Sequence, residues 1–150
     1  MAERPPLYNQ ETPYSCAPAC LRMVLQSFGV SKTEQELREM CDCLPLSIGG
    51  VSEALKLVDA ARGLGFQKTR KYNLTLADLK SELARGLFPI AYIRTQLTPG
   101  EPADYHSVVV SKIRAGYVEL NDPWRGAIAV TENEFSAEWA AMHNLTILVE

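Results

Sequence analysis

The chain has 150 residues, long enough to bury a full core without staples and short enough to form a single domain, 1–150. A hydrophobic content of 47% and a formal charge of −3 are ordinary for a globular protein and supply no basic field for nucleic acid or an acidic membrane surface. The residues before Cys16 include Glu3, Arg4, Pro5 and Pro6 with no apolar run, and the most apolar segments, 87–93 and 108–110, are strand-sized. No signal peptide, stable membrane insertion or exported disulfide framework is therefore expected; the expected location is cytoplasmic, with Cys16, Cys20, Cys41 and Cys43 as reduced thiols.

Residues 1–8 read as a proline-bearing extended arm that leads into a loop around Gln10. Ala17, Cys20, Leu21, Val24, Leu25 and Phe28 recur at spacings of three and four, one buried face of a helix, with Ser15 as expected N-cap and Gly29 as stop. Thr33 and Glu36 have the spacing of a capping box, and Leu37 and Met40 continue an apolar face towards a partly exposed end at Cys41-Asp42-Cys43. Gly49-Gly50 marks a turn before a third amphipathic helix built on Val51, Ala54, Leu55, Val58, Ala61 and Leu64, stopped by Gly65. A short strand is expected within 66–72, where Lys68, Arg70 and Lys71 read as a solvated face, and a fourth helix at 75–83 with Thr75 and Asp78 as capping pair and Gly86 as terminator.

The texture then changes to strands: 87–94, 105–113, 117–121 and a shorter one at 127–130. A short helix within 131–141 and a strand at 144–149, with Leu145, Ile147 and Val149 or the opposite set inward, complete the chain. Helices first and antiparallel strands later predict an α+β fold without internal repeats.

Cys16 falls in the first turn of its helix, where unpaired N–H groups and the positive end of the helix dipole favour a thiolate over a thiol. His106 opens the first strand of the 105–121 hairpin and Asp122 ends the second. If the loop is the three residues 114–116, Ile113 faces Tyr117 and Asp122 faces Val108, one same-face position from His106 and within reach of it at roughly 7 Å between Cβ atoms. A two-residue loop would set Asp122 opposite Val109, on the wrong face, although a bulge at Gly116 would alter the count. The set is then a nucleophile, a base and an orienting acid, with Gln10 available as an amide donor. Each residue also has a structural reading: Cys16 as core, His106 as a strand-edge histidine, Asp122 as a turn former before Pro123.

These residues carry a resemblance. Gln10, then Cys16 six residues later followed by Ala17-Pro18-Ala19, His106 before Ser107-Val108-Val109-Val110, and Asp122-Pro123 resemble the C39 peptidase family, papain-like bacterial cysteine peptidases known best as domains that cut double-glycine leaders from exported peptides. Weaker echoes are Gly49-Gly50-Val51, Gly63-Leu64-Gly65 and Phe88-Pro89-Ile90-Ala91, so the likeness runs from about Tyr8 to Trp139. It implies a papain-like fold, with an N-terminal helical half packed on a C-terminal antiparallel sheet. It also implies a thiol peptidase acting on a peptide or protein substrate through Cys16, His106 and Asp122, with Gln10 donating to the oxyanion and no cofactor. The family usually places Asp before the cysteine and Gly after it; here Ser15 and Ala17 stand there, and a negative charge beside the nucleophile is lost. No transporter or nucleotide-binding domain follows within the 150 residues, so a free-standing peptidase with its own substrate is expected. A catalytically weak peptide-binding module, or an amide hydrolase or acyl transferase, are the alternatives on the same fold.

Other residues compete for attention. Cys16, Cys20, Cys41 and Cys43 could be read as a Cys₄ zinc site, but Cys-x₃-Cys and Cys-x-Cys do not match structural zinc spacings, and Cys20 reads as core. His143 is a second candidate base with no acid placed to orient it. Trp124 and Trp139 read as packing residues, with Trp124 placed to wall a cleft.

Overall fold

The computed structural model describes residues 3–41 and 51–150. Its elements are α1 (Cys16–Ser27), α2 (Glu34–Met40), α3 (Val51–Gly63), β1 (Arg70–Asn73), α4 (Leu76–Ala84), β2 (Ile90–Thr95), β3 (Asp104–Arg114), β4 (Tyr117–Asp122), β5 (Gly126–Thr131), α5 (Glu132–Ala140) and β6 (Leu145–Leu148). The six strands form one antiparallel sheet in the order β1-β6-β2-β3-β4-β5. This is the expected α+β architecture.

Apolar alternation along the central strands divides the core. Ile90, Tyr92, Val109, Leu145 and Ile147 pack with Ala17, Cys20, Leu21, Val24, Leu57 and Ala61 of α1 and α3. Ala91, Ile93, Val108, Val110, Val118 and Leu120 pack with Leu79 of α4 and Phe135 and Trp139 of α5. The sheet is thus covered on both sides, which is why all four residues of β6 are buried and neither set of its residues is the solvent face. The late helices α4 and α5 share the covering role that the sequence reading gave to the N-terminal helices. Short β1, with Arg70 and Lys71 exposed, forms one edge of the sheet.

Helix boundaries follow the local chemistry. Thr33 and Glu36 make a reciprocal capping box on α2, and Thr75 and Asp78 do the same on α4. Gly29, Gly65 and Gly86 follow helix ends with φ of 80°, 104° and 82°. Two expectations on α2 fail. Met40 is 42% exposed, while Cys41, expected at a partly exposed end, is buried in the core; Cys43 and Gly49-Gly50 lie outside the described residues. Among the described residues no helix is long and apolar enough to cross a membrane.

The N-terminal arm is pinned along its length. Glu3 N–H donates to the Ser27 carbonyl at 2.9 Å, Pro5 accepts from Asn121 Nδ2 at 3.0 Å, and Arg4 pairs with Glu119 at 2.8 Å. The arm therefore runs from the end of α1 to β4 and delivers Gln10 to the turn that follows Asp122: Gln10 N–H donates to the Pro123 carbonyl at 2.8 Å.

Candidate active site

Cys16 is the first residue of α1 and 7% exposed. Its N–H belongs to the first turn of a helix, which has no intrahelical acceptor. Ser15 occupies the cap position at φ −104° and ψ 30° but makes no side-chain cap bond, contrary to expectation. Its hydroxyl instead accepts the Thr12 N–H at 3.1 Å, and its proton has two acceptors in reach, the Thr12 carbonyl at 3.2 Å and Glu34 Oε2 at 3.1 Å.

Glu34 is the residue the sequence reading missed here. It opens α2, is 1% exposed, and accepts the Glu11 N–H on both carboxyl oxygens at 2.9 and 3.1 Å, with Arg38 Nε 3.3 Å away. The carboxyl thus holds both ends of the 11–15 loop. Burial pushes its pKa above the ordinary glutamate value, against the Glu11 N–H, the Ser15 hydroxyl and the Arg38 charge, which favour the carboxylate. The carboxyl that the family usually carries next to the cysteine is absent at Ser15, and one reaches that hydroxyl from α2. Nineteen residues of separation hid the contact, and a glutamate in a first helical turn reads as an exposed dipole partner.

The β3–β4 hairpin differs from the expected one and arrives at the same place. Its turn has two residues, not three: Arg114 pairs with Tyr117, and Ala115 and Gly116 have φ of 50° and 84°, the two left-handed residues of a tight primed turn. Carried through unchanged, that register would put Asp122 opposite Val109. A bulge between Val110 and Lys112 absorbs Ser111, so that Val109 pairs with Asn121, and the next position sets Asp122 across from Val108. Ser111 Oγ donates to the Glu119 carbonyl at 3.1 Å and stabilises the irregular step.

His106 and Asp122 meet as a result. His106 Nε2 lies 2.7 Å from Asp122 Oδ1, with the two side chains 1% and 0% exposed. Nδ1 is left for Cys16, whose side chain hydrogen-bonds the imidazole. Burial works against a charged imidazole, but the bonds to Asp122 and Cys16 and their negative charge outweigh it and raise the His106 pKa to about 9. Asp122 Oδ1 also accepts the Trp124 and Arg125 N–H groups at 2.8 and 3.0 Å, and Oδ2 accepts Arg125 Nε at 2.6 Å. Burial opposes ionisation of this carboxyl; the bond and charge of His106 and the two Arg125 bonds prevail and hold its pKa at about 2. One carboxylate thus both accepts the N–H groups of the turn after β4 and bonds the His106 ring. Arg125, three residues on, was legible as a cation near Asp122 but was not singled out.

Gln10 is half-buried, and its Nε2 donates to the Thr12 carbonyl at 2.7 Å. One of its two amide protons is thereby fixed, and the other has no protein acceptor among the described residues. The structure brings Cys16, His106 and Asp122 together through one helix start and one hairpin, and ties the Gln10 backbone to Pro123, next to Asp122.

The remaining candidates lie elsewhere. Cys20 is core, and no cluster of three or more potential metal ligands exists among the described residues. His143 is exposed in the turn before β6 at φ 55°, and Trp139 is buried against Phe135. Trp124 is 46% exposed and lines a cavity with Pro13 and Asp104.

Comparison with known proteins places this geometry. The profile of the Peptidase C39 family matches residues 4–149. The chain is 29% identical over 140 residues to the lactococcin-G-processing and transport ATP-binding protein LagD of Lactococcus lactis subsp. lactis, aligning 91% of this chain but spanning only 18% of that protein. Among solved structures it superposes on the peptidase domain of Streptococcus ComA with a TM-score of 0.75 at 24% identity, covering 98% of each chain. A double glycine motif protease from an AMS/PCAT transporter, solved with its leader peptide, gives 0.73 at 23% identity, with 99% and 94% covered. A C39-like peptidase from Bacillus anthracis gives 0.77 at 16% identity, with 97% and 94% covered. These likenesses share the papain-like fold expected from the sequence, and the match of the family profile across nearly the whole chain identifies it as a member of the Peptidase C39 family.

Proposed function

We propose that this chain is an active cysteine peptidase in which Cys16 is the nucleophile, His106 the general base and acid, Asp122 the group that orients and stabilises the imidazolium, and Gln10 an oxyanion donor. The observation that carries this reading is the buried imidazole of His106, held by Asp122 at 2.7 Å on Nε2 and hydrogen-bonded to Cys16. In this mechanism the Cys16 proton passes to His106, and the thiolate attacks the scissile carbonyl. The oxyanion that forms is met by the Cys16 N–H and the second Gln10 amide proton, each such donor typically contributing about 3 kcal/mol. His106 returns its proton to the leaving amine. Water, deprotonated by His106, then releases the acyl group and regenerates the thiol.

The substrate class is a peptide, with cleavage after a Gly-Gly pair as the first specificity to examine, since LagD is a processing protein and the transporter protease is described by its double glycine motif. The test is the pH dependence of iodoacetamide labelling at Cys16, separated from the other cysteines by peptide mapping, in wild type and His106→Ala. Fast labelling well below the ordinary thiol pKa of about 8.5, lost in the variant, is the expected result. Equal and slow labelling in both would remove His106 as the activating group and favour a peptide-binding module on the same fold.

A further inference from the structure

A cavity of about 490 Å³ opens next to the candidate catalytic residues without including them. Pro13 of the Gln10 loop, Arg94 at the end of β2, Glu101 and Asp104 ahead of His106, and Trp124 just past Asp122 contribute to its wall, and α1 contributes nothing. Trp124 presents an exposed ring there on a backbone whose N–H is fixed on Asp122 Oδ1 at 2.8 Å. A concave site of this size, with an aromatic surface and a few charged groups in its lining, has the character of a ligand subsite.

The chemistry of acyl transfer assigns the occupant. The acyl half of a substrate becomes bonded to Cys16, at the start of α1. The leaving nitrogen takes its proton from His106 and must lie against that imidazole. Chain beyond that nitrogen continues on the side built by the strands and turn that carry His106 and Asp122, which is where the cavity lies. Resting on the peptidase reading above, we propose that this cavity is the subsite for the leaving segment and that Trp124 selects a bulky side chain at the first or second residue after the scissile bond. The lining holds two acidic residues, Glu101 and Asp104, against one basic residue, Arg94. Among bulky side chains the site therefore ranks a cationic tip above an anionic one.

A subsite for the leaving segment also binds an incoming amine once that segment has gone. The amine nitrogen then bonds to the acyl carbon, the C–S bond breaks to leave the Cys16 thiolate, and the amine proton goes to His106, which is neutral at that stage. This gives a direct assay. Cys16 is acylated with the p-nitrophenyl ester of acetyl-Gly-Gly, and the acyl-enzyme partitions between water and added glycinamide, tyrosinamide, argininamide or the α-amide of glutamate. Products are counted by mass spectrometry. Wild type is expected to capture tyrosinamide and argininamide roughly tenfold better than glycinamide, with the glutamate amide the poorest of the bulky acceptors. Trp124→Ala and the cavity-filling Ala103→Phe are each expected to bring the tyrosinamide preference close to one, and Glu101→Gln with Asp104→Asn to remove the cation preference. An acyl-enzyme that forms but shows equal capture of all amides, or a preference that survives both Trp124→Ala and Ala103→Phe, overturns the subsite. No acyl adduct on Cys16 at all overturns the peptidase reading, and this proposal with it.

Discussion

His106 Nε2 stands 2.7 Å from Asp122 Oδ1 across a hairpin whose turn has one residue too few to bring them to the same face. The bulge at Ser111 makes up the difference. Deleting Ser111 is therefore expected to leave a regular ladder with Val110 still opposite Leu120, and His106 still on Asp122. The cost is the Ser111 bond to Glu119, about 1 kcal/mol in urea unfolding, with Cys16 labelling kinetics preserved. A folded deletion variant that has lost rapid labelling would show that the bulge does more than restore register.

Replacing Asp122 separates its two tasks. Asp122→Asn keeps an acceptor for the Trp124 and Arg125 N–H groups but removes the charge that favours imidazolium, and it is expected to lower kcat by about 10²–10⁴ in a folded protein. Asp122→Ala strands His106 and Arg125 in the interior and is expected to cost about 3–5 kcal/mol, read from denaturant midpoints.

The pair also fixes a pH window. His106 titrates at about 9 in the folded chain against an ordinary 6.5, so the stability it contributes is complete below 6.5 and is lost as pH rises through about 9. Asp122 titrates at about 2 against an ordinary 3.8, so its contribution is complete above 3.8 and is lost as pH falls towards about 2. At about 1.4 kcal/mol per unit the His106 shift corresponds to a contribution on the order of 3 kcal/mol. Unfolding free energy measured across pH should sag at both ends of this window in wild type, and the alkaline sag should disappear in His106→Ala. The alkaline limb of kcat/KM is expected near 9, and Arg125→Met, which removes the cation that partly neutralises Asp122, should move that limb upward.

Gln10→Ala removes the proposed oxyanion donor while leaving the backbone N–H at position 10 to the Pro123 carbonyl in place. A loss of about 10²–10³ in kcat with little change in KM is expected. A rise in KM at constant kcat would instead assign Gln10 to ground-state binding.

Glu34 is expected to behave as a positioning residue. Glu34→Ala leaves the Glu11 N–H without its acceptor, while the Ser15 hydroxyl keeps the Thr12 carbonyl and Arg38 keeps Glu11, and should cost about 1–3 kcal/mol. Glu34→Gln retains an acceptor and should cost less stability yet still slow acylation, because Ser15 and Glu11 bracket the loop before Cys16. Burial raises the folded pKa of Glu34 above 4.5, so the native chain holds this proton more tightly than the unfolded one. Stability from this group therefore falls as pH rises from 4.5 through the folded value, and Glu34→Gln should flatten that slope.

Much of this was readable from residue spacing. Helix periodicity placed α1, α3 and α4, although Leu55, expected on the buried face of α3, is exposed, and the Thr33–Glu36 capping box started α2 where expected. Hairpin counting put His106 and Asp122 on one face, but through a three-residue loop where the chain has a two-residue turn and a bulge. The features that were not readable share one physical cause: they depend on contacts between residues far apart in sequence or on a local irregularity with no residue signature. Ser111 follows three valines and precedes a lysine, which any regular strand accommodates. Ala115 carries φ 50° without being the glycine or asparagine such a turn normally announces. Met40 and Cys41 exchanged their expected exposure because periodicity tells one helix face from another but not where packing ends. Glu34 looked like a solvent-facing charge because nothing local to α2 predicts that Ser15 will reach it.

The tie between Glu34 and the loop before Cys16 makes a seven-residue helix answerable for the order of the Cys16 neighbourhood. A helix that short does not hold together alone and stands only by its packing and caps. It belongs to the class of segments that open locally well below the free energy of global unfolding. Warming or mild urea should accordingly switch the proposed peptidase activity off while the sheet is still intact, so that any such turnover reads as a thermometer for α2 and engineered thermal tolerance has to start at Thr33, Glu34 and Arg38 rather than in the core.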